Sequence, residues 1–282
     1  MEVALGALVA LAYGTGDFLG GISAKRLTTV TVLFVSQAVG LAVAGVLVIS
    51  LRDAPPAAHV FVLSAAAGVV GIMALGLLFR GLALGRMSVV APLSAIGGGV
   101  LPVAWGLIRG ERPSALALAG VGIALIAVVI VGRGAEHDPT RAMSPRSEVL
   151  SGSGAGLGFG VVFILLSEAA TTSGSGMWPI FIARCASVPV LAAVGIALGR
   201  FSRVERSDVA PVVGAGLFDV GANALILVAV RRGLISLVAP VAALYPAMTV
   251  VLARLVLEER IGRQRLAGLA LGVLGLALIA TR

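Results

Sequence analysis

Ten apolar runs, each of roughly 20 residues, dominate this 282-residue chain and match the length an α-helix needs to cross the hydrocarbon core of a bilayer. Runs of this length restrict the fold severely. In hydrocarbon every backbone N–H and C=O must be satisfied within the protein, so spanning helices or a closed barrel are the available solutions. The runs do not alternate polar and apolar residues, which leaves helices. They are Val3–Gly21, Thr31–Leu51, His59–Phe79, Ser88–Ile108 and Ser114–Val131, then Val149–Ala170, Met177–Leu198, Val209–Val230, Leu234–Leu257 and Leu266–Ala280. Composition agrees: 59% of residues are hydrophobic and 12% charged, against about a quarter charged in a soluble domain. Asp17 inside the first run, and Glu2 before it, argue against a cleaved secretory signal.

The runs fall into two sets of five. Gly132–Glu148 is polar, mixed in charge and carries two prolines, which makes it the linker. The expected organisation is a first repeat over 1–132, a linker over 133–148 and a second repeat over 149–282. Ala83–Gly120 and Arg231–Gly268 carry the repeat most clearly. Placing Pro92 on Pro240, an offset of 148, also pairs Gly85 with Gly233, Ser88 with Ser236, Glu111 with Glu259, Arg112 with Arg260 and Gly120 with Gly268. Two tandem copies of an odd-numbered unit enter the bilayer in opposite directions. The expected fold is therefore an all-α integral membrane protein of ten transmembrane helices, arranged as two inverted five-helix repeats. Secondary transporters use this architecture, with substrate held between repeats near the midplane.

Several motifs read as structural. Ser88 and Ser236 are candidate N-caps, with Pro92 and Pro240 near the helix starts, where a missing N–H costs little. Glu111 and Glu259, with the arginines that follow, are read as pinning the turn between the fourth and fifth helix of each repeat. Gly152, Gly156 and Gly160, like Gly16/Gly20 and Gly268/Gly272, follow the small-xxx-small spacing that lets helices approach in lipid. Tyr245-Pro246, mid-run, favours a bend, facing a cavity or merely structural.

Ionisable side chains inside the runs point to function, because a charge at the centre of a spanning helix costs about 3 kcal/mol and faces a cavity or a partner. Asp17, Asp219 and Arg184 are such residues, and Asn223 lies one turn from Asp219. The functional reading places Asp17, Asp219, Arg184, Asn223, Tyr13 and Tyr245 around one polar cavity that binds substrate or protons. The competing reading is a static Asp–Arg pair that orients helices. Trp105 reads as an interfacial anchor.

Other classes find little support. The net charge of +8 comes mostly from arginines scattered in ones and twos, unlike a nucleic-acid patch. One cysteine and two separated histidines offer no disulfide, metal or cofactor site. Gly97-Gly98-Gly99 lacks the Lys-Ser/Thr of a phosphate-binding loop, and there is no nucleophile elbow, so no enzyme is expected.

Ser88–Pro92, Gly110-Glu111-Arg112 and Gly120, then Ser236–Pro240, Glu258-Glu259-Arg260 and Gly268, resemble the EamA-type repeat of the drug/metabolite transporter superfamily. Glu258 departs from the usual glycine. The resemblance spans essentially the whole chain, twice. It implies a ten-helix permease, often an exporter of amino acids, metabolites or drugs, with both termini cytoplasmic. The arginine count over the turns, taken literally, favours the opposite orientation; the reading adopted follows the resemblance. Short four-helix relatives carry an essential first-helix carboxylate that exchanges protons for cationic substrate, and Asp17 is similar in kind.

The functional expectation is a secondary transporter working by alternating access, an exporter coupled to protons through Asp17 or Asp219. Its partners are a small-molecule substrate and the lipid bilayer, with no nucleic acid and no cofactor, and a monomer as the unit. It would lie in a bacterial cytoplasmic membrane with both termini on one side. An energy-independent facilitator and a non-transporting membrane scaffold are the alternatives.

Overall fold

The computed structural model describes residues 2–24, 26–84, 87–133, 143–172, 175–233, 235–256 and 262–280. These form eleven helices: α1 (Glu2–Ala24), α2 (Thr29–Leu51), α3 (Ala58–Leu84), α4 (Met87–Ile108), α5 (Ala115–Arg133), α6 (Pro145–Thr171), α7 (Trp178–Ala197), α8 (Arg206–Arg232), α9 (Ile235–Ala242), α10 (Tyr245–Val256) and α11 (Arg263–Ala280). Six of them, α1, α2, α3, α6, α7 and α8, are long and apolar enough to cross a membrane; Leu93–Ile108, Ala115–Ile130 and Leu266–Ile279 are shorter apolar stretches. Large apolar side chains such as Ile49, Val62, Ile108, Ile196 and Val273 are largely exposed, as suits a lipid-facing surface.

Two boundaries differ from the sequence reading. The linker ends earlier, because Ser144 caps α6, its hydroxyl accepting from the Ser147 N–H, and Pro145 opens the helix. The ninth run is not one helix. It breaks after Ala242 and resumes at Tyr245. Pro246 has no N–H to continue the ladder, so the chain re-starts as α10. The first copy has Gly97-Gly98 where the second has Tyr245-Pro246, and α4 runs through unbroken.

Glycines set the close approaches. Gly152, Gly156 and Gly160 turn toward Leu93, Gly97 and Leu101 of α4, while Gly154 and Gly158 face Leu77 and Ala74 of α3. Gly120 meets Gly275, rather than Gly268 or Gly272, where α5 packs on α11. Gly68 lies against the Ala183 backbone and its repeat partner Gly216 against the Ser36 backbone. The packing has a two-fold pattern: α1 packs on α8 as α6 packs on α3, and α2 on α8 as α7 on α3. Pairs α2–α7, α4–α9 and α5–α11 join a helix to its counterpart.

Polar contacts tie the two sets of helices at one end of the bundle. The Met177 N–H donates to Asp53 at 2.7 Å, and the Trp178 indole N–H donates to the Asp53 carbonyl at 3.0 Å. Within the second set, Arg231 donates to the Ala170 and Gly176 carbonyls and to the Ser175 hydroxyl.

The proposed cap at Ser236 works differently from expectation, while the Ser88 side chain lies outside the described residues. α9 begins at Ile235, so Ser236 lies within its first turn, and its buried hydroxyl has no partner among the described residues. The cap comes from Glu111: its two oxygens accept the Ile235 and Ser236 N–H groups, each at 3.0 Å. Glu111 thus reaches across to the other repeat rather than pinning only its own turn. A carboxylate there also meets the positive end of the helix. Pro240 is the sixth residue of α9, and Pro92 the sixth of α4. Glu259 lies outside the described residues, as do the side chains of Pro92 and Arg254.

Candidate functional site

The helices converge on one pocket lined by residues of α1, α3, α4, α6, α7 and α8 and by the break between α9 and α10. Its empty space is about 880 Å³, counting the part that opens to solvent. Tyr13, Asp17, Arg184, Asp219, Asn223 and Tyr245 all line it. The six polar candidates thus come together from four helices, α1, α7, α8 and α10, of both halves of the chain.

Their bonding separates them. Arg184, buried in α7, donates one terminal nitrogen to Gln37 Oε1 and the other to Asp219 Oδ2. Its Nε has no partner among the described residues and lies against Gly40, where an added Cβ would stand 3.1 Å away. Ser187 donates to the same Gln37 oxygen at 3.0 Å. Asn223 donates to the Asp219 carbonyl at 2.8 Å. Asp219 is therefore half of a built ion pair, fixed by residues on α2, α7 and α8. Asp17 has no hydrogen bond or ion pair among the described residues. It faces the pocket within electrostatic range of Asp219. Tyr245 shares a hydrogen bond of 3.3 Å with Ser94 of α4, and the Tyr13 ring stands edge-on to Phe163 at 6.2 Å.

Sequence reasoning missed Gln37, Ser187, Phe159 and Phe163. A buried glutamine inside an apolar run was the available signal for Gln37, which is 1% exposed. The phenylalanines carried none, since aromatic residues in apolar runs usually face lipid or core. Trp105 donates its indole N–H to Glu168 at 2.9 Å, and Arg109 pairs with Glu168 at 3.5 Å, away from the pocket. Among the described residues no group of three or more His, Cys, Asp or Glu side chains has metal-site geometry.

Residues 146–281 match the model of the EamA-like transporter family. The match covers just under half of the chain. No curated protein matches the sequence. A solved structure, described only as a crystal structure of a protein, superposes with a TM-score of 0.80, covering 99% of this chain and 96% of its own, at 18% identity. At that identity the likeness speaks for the fold, and it includes the first half of the chain. The protein is thus a multi-pass membrane protein carrying an EamA-like domain. The family is one of small-solute transporters and implies transport rather than catalysis.

Proposed function

We propose that the chain is a secondary transporter of ten spans, with α9 and α10 together forming the ninth, and that residues 1–132 and 149–282 are inverted EamA-type repeats joined by the 133–148 linker. Alternating access between the repeats carries a small solute through the central pocket, exporting it in exchange for protons. The observation behind this reading is the meeting of six polar side chains from both repeats in one pocket of an otherwise apolar bundle. The two-fold packing pattern supports the inverted arrangement. Within the site Asp17 is the coupling carboxylate and Asp219 belongs to the frame, because Asp219 is already neutralised by Arg184 whereas Asp17 has no such partner among the described residues. An unpaired carboxylate beside a water-accessible pocket can exchange a proton for a cation; a carboxylate locked in an ion pair exchanges only by breaking it.

Proteoliposomes containing the purified chain and a pH-sensitive dye test this. Solute-dependent proton movement that disappears in Asp17→Asn is the expected result. A scaffold gives no flux with any solute, and a facilitator gives flux without proton movement; either outcome overturns the corresponding part of the proposal.

A further inference from the structure

α2 and α7 come from different halves of the chain and pack side by side. Their ends are tied in the same way. Thr28 is the N-cap of α2 and Met177 the N-cap of α7; the two are 149 residues apart (177 − 28). The Met177 N–H donates to the carboxylate of Asp53, in the turn that follows α2, at 2.7 Å. The Thr28 N–H donates to the hydroxyl of Ser202, in the loop that follows α7, at 3.0 Å. Asp53 and Ser202 are also 149 apart (202 − 53). The start of each helix is therefore held by the connection that leaves the other. Both helices are long and apolar enough to cross a membrane, which puts one tie at each face.

The two ties share a layout but not a chemistry. At the Asp53 tie the Trp178 indole N–H also donates to the Asp53 carbonyl, at 3.0 Å. Gly176, at φ 47°, leaves the space that the Asp53 carboxylate fills, and an added Cβ would overlap it. At the opposite tie the Ser202 N–H donates to the Thr31 hydroxyl at 2.8 Å, and the Thr28 hydroxyl donates to the Arg200 carbonyl at 2.6 Å. Between them, Arg184 and Ser187 of α7 both donate to Gln37 Oε1 of α2. Those middle bonds are buried, whereas the end ties are partly or fully exposed. Breaking a buried bond strands polar groups away from water; an exposed bond exchanges its partner for water at little net cost. The middle of the seam is thus the part that persists, and its ends are the parts that open.

Resting on the transport reading, we infer that α2 and α7 form a rocking seam: Gln37, Arg184 and Ser187 are its pivot, and the Asp53 and Ser202 ties are latches for opposite faces of the membrane, released in turn. Both latches are closed in this conformation. Each latch is intact in the states that shut its own face, so weakening it raises the population open at that face at the expense of the population open at the other. The two latches therefore act in opposition, which a pair of merely stabilising contacts would not do.

Access to the pocket can be read without a substrate. Phe163 lines the pocket and Cys185 is the free cysteine. In a parent chain with Cys185→Ser and Phe163→Cys, a membrane-impermeant thiol reagent reports access from one face in right-side-out vesicles and from the other in inverted vesicles. Asp53→Ala should raise the labelling rate about fivefold in one vesicle orientation and lower it in the other, the population shift that one lost hydrogen bond gives. Ser202→Ala combined with Thr31→Val should do the reverse. Asp53→Asn keeps an acceptor for the Met177 N–H and should shift the rates less than Asp53→Ala. Size-exclusion profiles show whether each variant is folded. Thr28→Cys with Ser202→Cys, placed where the native hydroxyl oxygens stand 3.5 Å apart, tests the second latch without loosening the fold. Once oxidised, this pair should block labelling in the orientation where Asp53→Ala lowers it, and reduction should restore the rate. The inference is overturned if the Asp53 and Ser202 variants move both rates in the same direction, if neither moves them, or if the oxidised pair labels freely from both faces. With the parent labelled from both faces, such a result removes the latches and leaves alternating access standing. A parent labelled from one face alone, or from neither, defeats the transport reading and the latches with it.

Discussion

At the scale of single residues, two carboxylates that look equivalent in the sequence have different work. Asp219 is held by Arg184, and Arg184 by Gln37. Removing one partner of such a pair strands a buried charge, a loss of about 3 kcal/mol or more, whereas replacing both by apolar groups is far milder. Asp219→Ala should therefore lower the thermal unfolding midpoint in detergent markedly, and the double variant Arg184→Met with Asp219→Leu should recover much of it. Asp17→Asn should leave the midpoint near wild type, since no described partner is lost. Equal losses for Asp17→Asn and Asp219→Ala would contradict this division. Glu111 makes a third case. It satisfies two N–H groups at the start of α9, and loss of a helix cap typically costs about 1 kcal/mol. Glu111→Ala should show a loss of that order in the same melts, with Glu111→Gln intermediate; an unchanged midpoint would rule the cap out as a stabilising contact.

At the scale of elements, glycine contacts fix the register that builds the pocket. Gly156 lies against the backbone of Leu93, Ser94 and Gly97, so a side chain there must push α6 from α4. Gly156→Val should destabilise by about 1–3 kcal/mol, the usual range for overpacking, and reduce folded yield in size-exclusion chromatography. Gly21→Ala, where an added Cβ meets nothing within 4 Å, is the control and should leave yield unchanged. Much at this scale was legible beforehand. Apolar runs marked the helices because lipid leaves the backbone few alternatives, and Asp17, Arg184 and Asp219 marked the site because charges inside such runs need a partner or a cavity. Other features depend on long-range register. The Glu111 oxygens reach a helix more than a hundred residues away. Phe159 and Phe163 become a pocket wall only through the packing of α6 against α3 and α4. The break before Tyr245 could be expected as a bend, but a run of apolar residues does not say whether a proline bends a helix or ends it.

At the scale of the whole molecule, the account rests on two repeats that rock around one pocket. The polar ties of Asp53 and Glu111 join the two halves of the chain at one end of the bundle, and alternating access requires such ties to open in the course of a cycle. Orientation is a separate matter: a reporter fused after Arg282 should be active in the cytoplasm, and periplasmic activity would reverse the assigned sidedness. The most direct measurement of the central claim is access to the pocket from both faces of the membrane. In a chain with Cys185→Ser and Phe163→Cys, a membrane-impermeant thiol reagent should label the pocket in right-side-out and in inverted vesicles. Labelling from one face alone, or from neither, would contradict alternating access.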